Sequence, residues 1–282
     1  MKATSLIGVE LRCPNLEASA AFFIETLGLV ESASDDGASY LRCFGEDAHH
    51  TIVLRAAPRP GLELLVATVR ADNGAPPVET LSASGGHHIR LAGKRQSAPP
   101  FSGRRPVLNQ PLPLRGVGIE PRRLGHVGLV VEDVAAARHW WVDQLGFALR
   151  ETVEDDEGEL LATLAVSAQA CDVMLVRGEP RAPGSLHHVA FAVDQRDTIA
   201  RAALLLAERS IPVEVGLGQH GLGQLSRLYC FEPSGNRIAL VHSPLLYSSE
   251  PHPAVRWPAE ARDRALMIWG APPPASFFEV HT

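Results

Sequence analysis

With 282 residues the chain exceeds one ordinary domain of roughly 100–200 residues, so two cores are expected. Aspartate and glutamate (32) outnumber lysine and arginine (26), the formal charge is −6, and no basic stripe runs along the sequence, so neither a nucleic acid nor an anionic membrane surface is expected as a partner. No apolar run approaches the roughly 18 residues of a membrane span. Cys13, Cys43, Cys171 and Cys230 are scattered without a Cys-x-x-Cys pair, and the N-terminus runs directly into strand-like sequence, so reduced thiols in a cytoplasmic protein are expected.

Compared with itself, the sequence repeats: IGVELRCPNL from Ile7 aligns with a segment from Gly125, GHVGLVVEDV. Each copy reads as a strand followed by one amphipathic helix, with Asn15 and Asp133 as N-caps and Gly28 and Gly146 as C-caps. Leu16, Ala20, Phe23 and Leu27 recur at helical spacing, as do Val134, Arg138, Trp141 and Leu145. Strand-like runs follow: YLRCF, HTIVLRA and LELLVATV in the first half, LLATLAVS, CDVMLVRG and LHHVAFAV in the second. The expected fold class is α+β, with tandem modules of strand, helix and three strands.

The first module reads as truncated. Between Val69 and Ser84 it lacks counterparts of DTIARAALLLAERS, of IPVEVG and of LSRLYCF. The sheet edge this leaves calls for cover by the linker or by a second subunit, so a homo-oligomer is expected. The expected divisions are an N-terminal module at 1–93, a Pro/Gly-rich linker at 94–122, a C-terminal module at 123–243 and a tail at 244–282. The tail carries Tyr247, Trp257, Phe277 and Phe278, too aromatic for a disordered end.

Residues two apart in a strand share a face, which groups His126 with Gly128 and Val130, His188 with Ala190 and Ala192, and Ala239 with Arg237 and Val241. Two inward imidazoles thus face an alanine. Gly216, Gly218 and Gly221 around His220 formally satisfy a dinucleotide fingerprint, but the strand-like LSRLYCF follows where a helix is required, so a flexible loop holding His220 is the reading. Tyr229 suits either a donor to a ligand oxygen or an ordinary core position. Cys171 suits a buried apolar residue, a soft metal ligand or a reactive thiol, and Cys230 a core residue. The pairs His49-His50 and His87-His88 read as solvated loop residues.

Together these residues, with the PSGNR turn, resemble the vicinal oxygen chelate superfamily and, within it, the two-module type I extradiol dioxygenases of the catechol 2,3-dioxygenase kind. The likeness spans nearly the whole chain. It implies βαβββ modules curled around a cavity, and a mononuclear iron(II), or manganese(II), held by two histidines and a glutamate that leave positions open for a catecholate and dioxygen. By this resemblance His126 and His188 are the histidine ligands, Ala239 occupies the glutamate's place, and Cys171 that of the acid/base histidine. His220 and Tyr229 match residues around the substrate. Gly8 and Leu64 replace both histidines in the first module, whose cavity is expected to be chemically empty. The expectation is a catechol-like aromatic ligand, metal weakly bound or absent, and impaired or altered ring cleavage. A cofactor-free enzyme or a sequestering protein are the alternatives.

Overall fold

The computed structural model describes residues 2–70, 79–93, 96–97, 116–243, 245–248 and 252–282, so most of the expected linker at 94–122 lies outside the described residues. Two mixed sheets organise the chain. In the first, β1 (Lys2–Cys13) and β5 (Gly61–Arg70) pair antiparallel at the centre. β4 (Ile52–Ala56) lies parallel to β1, and β7 (His88–Ala92) parallel to β5. Outside them lie β3 (Ala38–Arg42) and β2 (Val30–Asp35) on one side and β6 (Glu79–Ser82) on the other.

The second sheet repeats this plan around β8 (Arg123–Val131) and β12 (Leu186–Ala192), antiparallel to each other, with β11 (Val173–Arg177) and β15 (Arg237–His242) parallel to them. β10 (Gly158–Ala165) and β9 (Ala148–Asp155) extend one wing, β14 (Ser226–Phe231) and β13 (Val213–Gln219) the other. The tail adds β16 (Val255–Trp257) and β17 (Trp269–Gly270), one at each edge. β8 is buried along almost its whole length, as expected of a central strand covered on both faces.

The strand-helix-three-strand order runs twice in this sheet: β8, α2 (Val134–Leu145), β9, β10 and β11, then β12, α3 (Arg196–Glu208), β13, β14 and β15. The Asp133 carboxylate caps α2 by accepting from Ala136 N at 2.9 Å, and Gly146, at φ 73°, closes it. The buried stripe of α2 is Val134, Ala137, Trp141 and Leu145. Arg138, expected on that stripe, turns outward to Glu159 at 2.7 Å, because a guanidinium cannot be buried without a partner. In the first half α1 (Leu16–Ala21) is capped by Asn15 and passes into a π turn over Phe22–Thr26.

β6 corrects part of the expected truncation. It pairs antiparallel with β7 as β14 pairs with β15, so the LSRLYCF strand has a short counterpart, Glu79–Ser82, too polar to be read as a strand. The halves clasp through the PSGN turn: Glu232 accepts from Ser19 Oγ at 2.5 Å, from the backbone N–H groups of Ser234 and Asn236, and from Asn236 Nδ2. His87, expected in solvent, is buried at the same boundary with Nε2 3.0 Å from the Ser185 carbonyl.

Candidate active site

Register confirms which residues correspond. His126 faces Ala190 and Gly128 faces His188 across β8 and β12, as Gly8 faces Val66 and Glu10 faces Leu64 across β1 and β5. Gly128 is required here, since a Cβ at that position would come within 2.3 Å of His188 Nδ1. The corresponding place in the first half holds charged side chains. Glu10 is buried and bonds Arg55 Nε at 2.7 Å and Arg90 Nη1 at 3.3 Å. Arg90 pairs with Val66 as Ala239 pairs with Ala190, so it takes the Ala239 place in that half.

In the second sheet His126 and His188 are fully buried and their Nε2 atoms lie 2.9 Å apart. Two nitrogens about 2.1 Å from one metal and at right angles are separated by about 3 Å, so the pair has the spacing of adjacent ligands on one ion. Ala239, paired with Ala190 and Tyr229, is fully buried and offers no donor. Among the described residues no group of three or more His, Cys, Asp or Glu is placed to hold a metal. The residues present thus fit two of the three positions and not the complete centre.

A β-bulge adds a residue that strand alternation concealed. Leu186 pairs with Leu129 and His188 with Gly128, so His187 and His188 together oppose one position and His187 is turned inward. Its Nδ1 lies 2.7 Å from His188 Nδ1 and its Nε2 2.7 Å from the Phe277 carbonyl. The His187-His188 doublet was the only sequence signal.

His220 is buried and ordered. It follows β13 directly, its amide donates to the Leu225 carbonyl, and the expected flexible loop is half strand. Its Nδ1 donates to the Leu266 carbonyl and its Nε2 lies 3.2 Å from Tyr229 Oη. A neutral imidazole donating through Nδ1 only accepts at Nε2, so the Tyr229 hydroxyl proton is spent on His220 and its oxygen faces any ligand as an acceptor.

Burial pushes all four imidazoles down: His126 to about 4, His220 to about 3, and His187 and His188 well below the ordinary histidine value. Neighbouring cations add to this, Arg123 at His126, Arg227 at His220 and Arg237 at His187. Burial raises the Tyr229 hydroxyl to about 12 and the Cys171 thiol well above its ordinary value, so neither ionises near neutrality. Cys171 packs with Val153, Leu161 and Met174, and Cys230 lies in the main core.

Two further groups were visible in the sequence without a role at the site. Arg237, buried in β15, forms a bidentate pair with Glu214 and also bonds the His187 and Ser276 carbonyls. Phe277 stacks edge-on against His187 and Tyr229 at centroid separations of 4.7 and 5.0 Å, within the apolar cluster that contains Ala239. The free space beside His126 and Cys171 is about 30 Å³, room for a water.

The two-sheet chain, with a paired-imidazole site on the central strands of its second sheet, has the vicinal oxygen chelate fold. Residues 123–240 match the Glyoxalase/Bleomycin resistance protein/Dioxygenase superfamily. Over most of its length it is similar to extradiol dioxygenases. It is 28% identical to a metapyrocatechase of Pseudomonas sp. (strain CF600), covering 92% of each chain. It is 27% identical to a manganese-dependent 2,3-dihydroxybiphenyl 1,2-dioxygenase of Geobacillus genomosp. 3, covering 93% of this chain and 92% of the relative. Homoprotocatechuate 2,3-dioxygenase from Brevibacterium fuscum, solved in complex with 3,4-dihydroxyphenylacetate, shares the fold at a TM-score of 0.82 and 24% identity, over 98% of this chain and 92% of that one.

Proposed function

We propose that the second sheet's site binds a catechol-like aromatic, holds iron(II) or manganese(II) only weakly, and is impaired or altered in oxidative ring cleavage. The observation that carries this reading is the imidazole pair, kept at ligand spacing beside an alanine that donates nothing. In the proposed roles His126 and His188 are the remaining metal donors, and such a metal would supply Lewis-acid activation of the catechol. His220 and Tyr229 orient the aromatic, with Tyr229 Oη accepting a hydrogen bond from a ligand hydroxyl. Arg123 lines the space of about 30 Å³ beside His126, which must open to admit an aromatic ring, and there favours the phenolate form. We take the protein to be a cytoplasmic homo-oligomer, the sizing of which in solution is a direct check.

Loss of the carboxylate raises the charge of a divalent centre from about +1 to +2 and opens one more position, which a bidentate catecholate would fill. Cys171 gives the second reading, a non-catalytic binder, its support: a thiol held well above its ordinary pKa cannot replace an acid/base histidine. The cofactor-free reading finds less support, since both ring nitrogens of His220 are already engaged.

Anaerobic titration with 4-nitrocatechol, followed by its absorbance with and without iron(II), tests the proposal. Binding in both conditions, with ring cleavage on admitting air far slower than in a three-ligand relative, is expected. Absence of binding in both, or cleavage at the relative's rate, would overturn it.

A further inference from the structure

A polar cavity of about 200 Å³ lies at the boundary between the two sheets and shares no residue with the space beside His126. Its walls include Arg12 near the end of β1, Leu62 and Glu63 in β5, His87 at the entry to β7, and Pro183 and Gly184 in the loop before β12. Gly184 N donates to the Gly85 carbonyl at 2.9 Å, which ties the two loops together beside it. Two atoms of the wall residues, Arg12 Nε and His87 Nδ1, are buried with no hydrogen-bond partner among the described residues. Buried polar groups are nearly always paired, so these two call for a complement in the cavity.

The two are of opposite kinds. Arg12 Nε–H can only donate. The Ser185 carbonyl, 3.0 Å from His87 Nε2, can only accept, so His87 is protonated at Nε2, and burial keeps the ring neutral. Its Nδ1 is therefore an acceptor. A complement must carry a donor for the imidazole and an acceptor for the guanidinium, best an anionic one, since the ion partner of Arg12, Glu63, is 4.0 Å away. The space is several times the roughly 30 Å³ of one water in the liquid, room for a small organic molecule. A hydroxy acid and an amino acid both offer an acceptor and a donor on neighbouring atoms. Glu63 decides between them, because its half-exposed carboxylate repels a net anion and attracts an ammonium. Leu62, buried in the wall, gives a short apolar surface for a side chain.

We propose that this boundary cavity binds a free α-amino acid with a small apolar side chain, its carboxylate on Arg12 and its ammonium shared by His87 Nδ1 and Glu63. The inference goes beyond the proposed function and does not rest on it, since neither imidazole of the pair takes part.

The test is calorimetric titration of the full chain, without added metal or catechol, with L-alanine and with L-valine. L-Lactate, which has a hydroxyl in place of the ammonium, and ethylamine, which lacks the carboxylate, are the partial probes. Saturable one-site binding of at least one amino acid is expected, with each partial probe weaker by about 10–100-fold, the worth of a hydrogen bond to a charged group. A ligand bound only by the folded chain should also raise the melting temperature. Arg12→Gln and Glu63→Gln, both at partly exposed side chains, should weaken the amino acid by a similar factor. No saturable heat with either amino acid, equal affinity for L-lactate, or unchanged affinity in both variants overturns the proposal. Should a variant not fold, the comparison of probes on the parent chain decides it.

Discussion

Replacing Ala239 by glutamate, together with Cys171→His, probes the distance between this site and a complete ring-cleaving one. Ala239 is fully buried among Ala190, Val215, Leu225, Tyr229, Val241 and Phe277, and the space nearby is about 30 Å³. Without metal the new carboxylate therefore has little room and, with the Tyr229 hydroxyl proton spent on His220, no donor among these side chains. Overpacking costs about 1–3 kcal/mol and an uncompensated buried charge several more, so the metal-free variant should be less stable than the parent by about 3–5 kcal/mol. A divalent ion at about 100 times its dissociation constant returns about 2.7 kcal/mol. At about 2–4 °C per kcal/mol for a large domain, that is a rise in melting temperature of roughly 5–10 °C. The assay is anaerobic thermal unfolding of parent and variant with and without iron(II). Restoring the histidine should also return a rate contribution on the order of 10²–10⁴-fold to catechol cleavage. If metal raises the folded variant's melting temperature no more than the parent's, position 239 does not point at the imidazole pair and the geometric reasoning fails.

Acid should destabilise the fold through its depressed histidines. Their folded pKa values lie below the ordinary value near 6.5, so their contribution is complete above that pH and is lost as pH falls toward about 4 for His126 and about 3 for His220. His126 alone accounts for about 3 kcal/mol, and urea unfolding that is flat between pH 7 and 5 would contradict this. Tyr229→Phe should weaken 4-nitrocatechol binding about 3–10-fold, the worth of one hydrogen bond, and cost about 1–3 kcal/mol of stability, because the buried His220 Nε2 loses its donor. Equal affinity in the two proteins would remove Tyr229 from ligand recognition. Glu232→Ala strips four donors of their acceptor at the boundary between the sheets, and should cost about 3 kcal/mol in denaturant unfolding. A loss under about 1 kcal/mol would show that the clasp is not structural.

The repeat carried most of what could be read from the sequence. Val9, Leu11, Val127 and Leu129 mark central strands by continuous burial, and Asn15, Asp133 and Gly146 mark helix ends by chemistry local to a few residues. What escaped depended on nonlocal geometry. The exposed strands Val30–Asp35 and Glu79–Ser82 carry almost no apolar pattern, because only their pairing makes them strands. His187 was hidden by a bulge that breaks the two-residue period. His87 reads as a loop histidine until the other sheet's Ser185 carbonyl is brought to it, and the Arg237–Glu214 pair joins positions on separate strands. The hydroxyl of Tyr229 could be given a direction only once His220 and Leu266 were placed.

Metal content measured by equilibrium dialysis against micromolar iron(II), under anaerobic conditions and with or without saturating 4-nitrocatechol, bears most directly on a two-donor site. A pair of imidazoles beside Ala239 should retain well under one iron per chain alone, and more when the catecholate supplies the missing donors. One tightly held iron per chain without any catechol would mean that a third protein ligand exists, and would contradict the proposal that this site binds its metal weakly.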